Sequence, residues 1–423
     1  MSAVRPEEPR RASPAAENGP RIALVITSFH PIVGGGETHA LLLSREWRRQ
    51  GAGVFVLTRR TTPELARRED VQGVPVLRVA PARFRRWGKY LMLAPTFLQL
   101  VRRRRDYDLI LVSGLRILGM AGMLAAKVLG KPCVLRAASC GELSGGFIWD
   151  SPHGDRVRLP LARAAIRGLL ALRNRLLLRA DGFLAISGAI AEEYRACGVP
   201  EDKIRVINNG TDTDRFRPAE AEERAALRRK LGLPPIGRLF AYAGKLNRGK
   251  GLEFLLRAWR RHASAHPDAH LVLIGSGGLQ FLSCETELRA FVAAEGLAGR
   301  VTFTGYVANV DEYLRSADVF VFPSENESLS NALIEAAACG LPCLASNVGG
   351  IPDTIGDREN GRLLPPGDEE AWVRALAEAE ADPESAAEWG RRGRERVVVR
   401  NGMGEVAAAH LRWLAPMVRG PRG

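Results

Sequence analysis

No stretch of the 423-residue chain approaches the ~18 consecutive apolar residues that a membrane span needs. The nearest, Ile117 to Leu129, follows Arg116 and is broken by Lys127. The N-terminus also lacks the apolar core of a signal peptide. Met1 to Pro20 is polar, with Pro, Glu, Arg and Ala, and reads as a disordered lead-in. The six cysteines include no C-x-x-C pair, and no His/Cys cluster has zinc spacing. They read as reduced thiols of a cytoplasmic protein. An intact G-x-G-x-x-G is missing, which disfavours a dinucleotide-dependent oxidoreductase, and the Walker A order is absent as well. No nucleic-acid motif accompanies the basic residues, so a nucleic-acid partner is not expected.

What is abundant is positive charge, a net +14. An anionic membrane surface or a phosphorylated substrate would suit it. Arg83, Arg85, Arg86 and Lys89 stand among Phe84, Trp87, Tyr90, Leu91 and Leu93, and Arg102 to Arg105 close that segment. A second segment sets Arg156, Arg158, Arg163, Arg167, Arg173, Arg175 and Arg179 among Leu159, Leu161, Ile166, Leu169, Leu172 and Leu176. Basic heads beside aromatic and leucine faces fit helices lying on the inner face of the cell membrane. Ordinary solvated helices have the same pattern.

Short branched apolar runs alternate with helical stretches along most of the chain. RIALVITS at 21–28 is a buried strand, 37–50 a helix, and strands recur at 54–58, 76–79, 109–112, 133–136, 182–186 and 204–207. The turn-rich NNGTDTDRFRP at 208–218 interrupts the pattern, which restarts with LFAYA at 239–243. Strand–helix alternation on both sides predicts an α/β protein of two Rossmann-like, doubly wound domains facing across a cleft, with C-terminal helices. The expected division is a lead-in at 1–20, an acceptor-side domain at 21–213, a donor-side domain at 214–395, and a closing helix at 396–423 packed back on the first domain.

The most informative stretch is FPSENESLSNALIEAAACGLPCL at 322–344. Glu327 and Glu335 bracket a predicted helix start, with Ser328 and Ser330 as cap candidates. The unpaired N–H groups of the first turn fall between the two acids and suit anions and hydroxyl oxygens. GKLNRGKG at 244–251 follows a buried strand and carries Lys245, Arg248 and Lys250, cations suited to two phosphates. IGSGG at 274–278 and Gly34 to Gly36 are further glycine clusters at strand ends. Asp212 and Asp214 form a D-x-D that reads as turn-forming aspartates.

GGGETHA at 34–40, VINNGTDTDRF at 206–216, GKLNRGKG, the E-x7-E of 327–335 and NVGGIPD at 347–353 occur in an order that resembles the family-4 glycosyltransferases over nearly the whole chain after about residue 20. The resemblance implies a GT-B fold and a retaining hexosyl transfer from a nucleotide-diphosphate sugar to a hydroxyl acceptor, with no metal or other cofactor. It implies that Lys250 and Lys245 hold the donor diphosphate. Lys245 stands where the family usually has Arg, so a point charge replaces a planar fork. Glu327 would lie by the transferred sugar, and Glu335 would accept hydrogen bonds from the ribose. Leu329, Ser330 and Asn331 would offer amides, and Gly35, Gly36, Gly244 and Gly277 would approach the donor. Many relatives have a His shortly after the strand that here reads KPCVLR. This chain has RAASCGE instead, with His153 the nearest His downstream, and Ser139 and Glu142 become the acceptor candidates. The basic segments favour a lipid-linked or membrane-proximal acceptor in surface polysaccharide or glycolipid synthesis. The alternative is a soluble acceptor, as in a sugar phosphate or disaccharide synthase.

Overall fold

The computed structural model describes residues 19–32, 34–82, 88–146, 160–278 and 282–419. The lead-in to residue 18, the basic cluster Arg83 to Trp87, Arg156, Arg158, Leu159, His153 and Gln280 lie outside the described residues.

Two sheets organise the chain. The first holds β1 (Arg21–Ile26), β2 (Gly53–Arg59), β3 (Arg68–Val71), β4 (Val74–Val79), β5 (Leu109–Ser113), β6 (Cys133–Arg136), β7 (Gly182–Ala185) and β8 (Ile204–Val206), in the order β3-β4-β2-β1-β5-β6-β7-β8. The second holds β9 (Leu239–Ala243), β10 (His270–Ile274), β11 (Val301–Gly305), β12 (Val319–Phe322), β13 (Cys343–Ser346) and β14 (Gly361–Leu364), in the order β11-β10-β9-β12-β13-β14. Pairing is parallel throughout except between β3 and β4. The helices are α1 (Gly35–Arg49), α2 (Gly88–Leu91), α3 (Leu93–Arg102), α4 (Leu115–Leu129), α5 (Pro160–Leu177), α6 (Gly188–Ala196), α7 (Ala221–Leu231), α8 (Leu252–Ala265), α9 (Glu285–Ala294), α10 (Val310–Ser316), α11 (Asn331–Ala338), α12 (Glu369–Ala381), α13 (Pro383–Asn401) and α14 (Met403–Arg419).

The central strands read as continuous apolar runs because helices cover both of their faces: β5, β9 and β10 are buried along their whole length. Two strands escape a search for such runs. REDV at β3 is polar because it is an edge, joined to β4 through Gln72 and Gly73, both at positive φ as a tight hairpin turn requires. GRLL at β14 is likewise a short edge strand.

The topology fixes where ligands can sit. In the second sheet the chain runs outward from β9 to β10 and β11, then returns to β12 on the other side of β9. The loops after β9 and β12 therefore diverge and leave a crevice at the strands' carboxyl ends. In the first sheet β1 lies between β2 and β5, so the loops after β1 and β5 form a matching gap. The chain crosses between the sheets twice, side by side. Thr211 N–H donates to Asn401 O at 2.8 Å and Met403 N–H to Thr211 O at 3.0 Å. The helical C-terminal region is three helices, with Asp382 capping α13 and Gly402 separating it from α14. α14 buries Val406, Ala407 and Leu414 in the same apolar cluster as Trp47 and Ile22 of the first domain.

Candidate active site

The E-x7-E stretch folds as its local chemistry dictates. Ser330 is extended, and its Oγ accepts the Leu333 N–H at 3.2 Å, so α11 opens at Asn331. Gly340, at φ +74°, ends it. Among the described residues the N–H groups of Leu329, Ser330 and Asn331 have no acceptor. Glu327 lies on the loop just before them. Its carbonyl accepts the Gly350 N–H at 3.0 Å, and a Cβ on Gly349 would sit 1.7 Å from the same oxygen. The glycines of NVGGIPD are there so that this loop can press against the acid.

The loop after β9 is laid on the same place. Gly251, at φ +67°, has its Cα so close to the Pro323 carbonyl that a Cβ would lie 2.0 Å from the oxygen. Glu325 N–H donates to Gly249 O at 3.1 Å. Lys250 is thereby brought to Glu327, Nζ to Oε2 at 2.6 Å, with its ammonium 5.8 Å from the Phe322 ring centroid. Lys245 is exposed, and its ammonium has no polar partner among the described residues. Two residues of this region make protein contacts of their own. Arg248 pairs with Glu287 at 2.8 Å and Glu253 at 3.6 Å, away from the Lys250–Glu327 pair. Gly277 is a packing glycine: its N–H donates to Glu285 Oε2 at 2.8 Å and a Cβ would lie 1.9 Å from Ser283 Oγ. Gly244 also packs, with Tyr242 Oη 2.7 Å from where a Cβ would sit.

Glu335 lies in the second turn of α11, and its carboxylate accepts no hydrogen bond among the described residues. Burial pushes its pKa up to about 7; Arg215 opposes the shift and Asp311 adds to it. Arg215 is itself held on Asp311 at 2.6 Å, so it does not neutralise Glu335 directly.

The facing wall comes from the first domain. Asn331 Nδ2 donates to Gly35 O at 2.9 Å, so the glycine turn after β1 meets the start of α11. A Cβ on Gly36 would touch nothing within 4 Å, so that glycine opens onto free space. The 137–146 loop reaches the same region, with Cys140 N–H donating to Ser328 Oγ at 2.8 Å. Of the two acceptor candidates there, Glu142 faces inward. It is buried, and its carboxylate accepts Leu115 N–H at 2.8 Å and Ser139 Oγ–H at 3.2 Å. Burial raises its pKa. It holds the loop to α4. Ser139, also bonded by Arg116 Nη2 at 2.6 Å, stays half-buried beside the crevice.

Sequence reasoning missed two organising carboxylates. Glu193 on α6 accepts the N–H groups of Gly141, Leu143 and Ser144 at 2.6 to 2.9 Å. Asp353 of NVGGIPD accepts Gly188 N–H of the first domain at 2.7 Å. Neither has a local signature, because their partners lie 52, 50, 49 and 165 residues away. The D-x-D is a turn: Asp212 Oδ1 accepts the N–H groups of Asp214 and Arg215 at 3.1 and 3.0 Å. A cavity of about 640 Å3 lies near it, lined by Arg45, Arg48, Arg49, Gln72 and Met403, away from both glutamates. The crevice residues, joined by short directed contacts, mark the chemistry better than that hollow does.

Comparison with known proteins gives the family and the fold. Residues 33–215 match the family model Glycosyltransferase Family 4, and residues 223–396 match Glycosyl transferases group 1. The chain is 30% identical over 420 residues to a D-inositol 3-phosphate glycosyltransferase of Xylanimonas cellulosilytica, covering 93% of this chain and 96% of that one. It is 32% identical over 294 residues to an alpha-maltose-1-phosphate synthase of Mycolicibacterium smegmatis, covering 66% of this chain and 72% of the relative. Among solved structures, sucrose-phosphate synthase from Thermosynechococcus elongatus superposes with a TM-score of 0.76 at 24% identity, over 93% of this chain and 98% of that one. The fold is GT-B, as expected from the motif order.

Proposed function

The chain belongs to glycosyltransferase family 4, and from that premise we propose that it is a retaining enzyme moving a hexose from a nucleotide-diphosphate sugar to a hydroxyl of a small soluble acceptor that itself carries phosphate. The observation that carries this reading is the convergence of Lys250, Glu327 and the start of α11 on one crevice, where the first amides of α11 and, one turn further in, the Glu335 carboxylate have no partner among the described residues. In this reading the diphosphate lies between Lys245, Lys250 and the glycine turn after β1. The ribose hydroxyls donate to Glu335, and the sugar lies against Glu327. The bond from the anomeric carbon to the phosphate oxygen breaks, and the acceptor oxygen joins the anomeric carbon on the same face. The acceptor's proton passes to the departing phosphate oxygen. Fixed positive charge and N–H groups stabilise the negative charge that builds up there, which lets the bond break without a metal or cofactor in this reading.

The acceptor class follows the relatives, which are named for inositol phosphate and maltose-1-phosphate chemistry. A panel of UDP-, GDP- and ADP-sugars in a thermal-shift assay tests the donor side. The matching nucleotide at about 100 times its Kd is expected to stabilise the fold by about 2.7 kcal/mol. No shift with any member counts against the reading.

A membrane-proximal acceptor keeps one specific observation in its favour. α3, α4 and α5 pack side by side and leave Leu98, Leu124, Val128, Leu169 and Leu172 exposed, the last two at 67% and 66%, beside Arg103 to Arg105 and Arg167. No helix among the described residues is long and apolar enough to cross a membrane. If this face docks on the inner leaflet, the chain co-sediments with phosphatidylserine vesicles, and Leu169→Glu with Leu172→Glu releases it. A wild-type chain that stays in the supernatant rejects the membrane reading and leaves a cytoplasmic enzyme.

A further inference from the structure

Arg136 ends β6 with its side chain buried, 6% exposed. Nη1 donates to Ser113 Oγ at 2.9 Å and Nη2 to Asn209 Oδ1 at 2.7 Å. No carboxylate forms an ion pair with it among the described residues. A guanidinium can only donate. Asn209 therefore turns its oxygen to Arg136 and its Nδ2 the other way, where it donates to Asn331 Oδ1 at 2.8 Å. That bond in turn leaves Asn331 Nδ2 to donate to Gly35 O at 2.9 Å. The Asn209 carbonyl is held by Asn401 Nδ2 at 2.8 Å, so the middle of the chain of bonds cannot drift. The two ends of an asparagine amide have nearly the same shape, so their partners alone decide which end faces where.

We infer that Arg136 and Asn209 are positioning residues, a relay of hydrogen-bond polarity that fixes which end of the Asn331 amide meets the glycine turn and so holds the cleft closed over the start of α11. Asn331 is the first residue of α11 and Gly35 the first of α1, so the last bond of the relay spans the crevice where the diphosphate is placed. A reversed Asn331 would set its oxygen against the Gly35 carbonyl, two acceptors face to face. The kinetic consequence rests on the proposed transfer reaction, whereas the inference of closure rests on these contacts, which act beside the Cys140–Ser328 and Gly188–Asp353 bonds between the domains.

Asn209→Asp is the sharpest test. It keeps an oxygen for Arg136 and nearly the same shape, but offers Asn331 an acceptor where a donor stood. Small-angle X-ray scattering of the ligand-free full chain is expected to show a larger radius of gyration for Asn209→Asp and for Arg136→Met. Arg136→Lys, still a pure donor, is expected to stay closer to wild type. With whichever of UDP-glucose, GDP-mannose and ADP-glucose the wild type turns over, the donor KM of Asn209→Asp is expected to rise about tenfold with kcat changed less, as one directed bond and a competent population are lost. Ser113→Ala removes the other Arg136 contact and is expected to leave both readings near wild type. Wild-type scattering and KM in Asn209→Asp, or equal opening by Ser113→Ala, would overturn the relay. Should Asn209→Asp not fold, Arg136→Met carries the same expectation. Should the wild type turn over none of the three donors, the transfer proposal fails while the scattering still decides the relay.

Discussion

Lys250→Ala is expected to slow sugar transfer about 100- to 1,000-fold, the scale seen when one group stabilising transition-state charge is removed. Glu327→Ala is expected to do the same. The two side chains meet at 2.6 Å in a partly buried setting, so each is the other's partner. In the proposed reading, removing Lys250 deletes a fixed cation from the side where the diphosphate gathers charge. In the same reading, removing Glu327 deletes the acid beside the sugar and leaves Lys250 without its ion-pair partner. Because the pair acts as a unit, the double variant is expected to be little slower than either single one. Lys245→Arg restores the residue usual in the family at an exposed position and is expected to retain activity. Release of nucleoside diphosphate in the presence of acceptor measures the rates, and circular dichroism shows whether the fold is kept. Full activity in either alanine variant would remove this pair from the chemistry.

How far such a site can be read in advance depends on the range of the interactions that build it. The start of α11 was legible because its cause is local: Ser330 caps the helix by accepting the N–H three residues ahead, and alanines fill the turns that follow. The GKLNRGKG turn was legible because Gly251 marks a close approach of backbone. The direction of a long side chain was not. Arg248 sits between Lys245 and Lys250 in sequence, yet two acids on α8 and α9 draw it outward. Glu142 looked like an open acid in RAASCGE, but the N–H at the head of α4 turns it inward. Arg136 read as the last residue of a strand. Only the return of the chain at Asn209, 73 positions later, gives its guanidinium a direction.

The second large effect concerns pH. Glu335 is held up to about 7 by burial, so near neutrality a good part of the free protein carries it protonated. In the proposed reading the ribose hydroxyls donate to this group, and the carboxylate accepts them more strongly than the neutral acid does. Binding therefore releases a proton below that value, and affinity for the nucleoside diphosphate is expected to rise as pH climbs toward about 7, then level off. Glu335→Gln removes the titration. The ratio of wild-type to variant affinity isolates it from the phosphate's own ionisation, and at pH 8 the variant is expected to bind about 10- to 100-fold more weakly, the value of a hydrogen bond to a charged group. Stability moves the opposite way. A carboxyl whose folded pKa lies above its ordinary 4.5 binds its proton more tightly in the folded state. Its contribution falls as pH rises from about 4.5 to about 7, so the ligand-free Gln variant should gain thermal stability relative to wild type across that window. Titration calorimetry and paired melts from pH 5 to 8 read both. A wild-type to variant affinity ratio that stays flat with pH would mean that Glu335 does not meet the ribose as a carboxylate. The crevice would then have to bind the nucleotide by its lysines and amides alone.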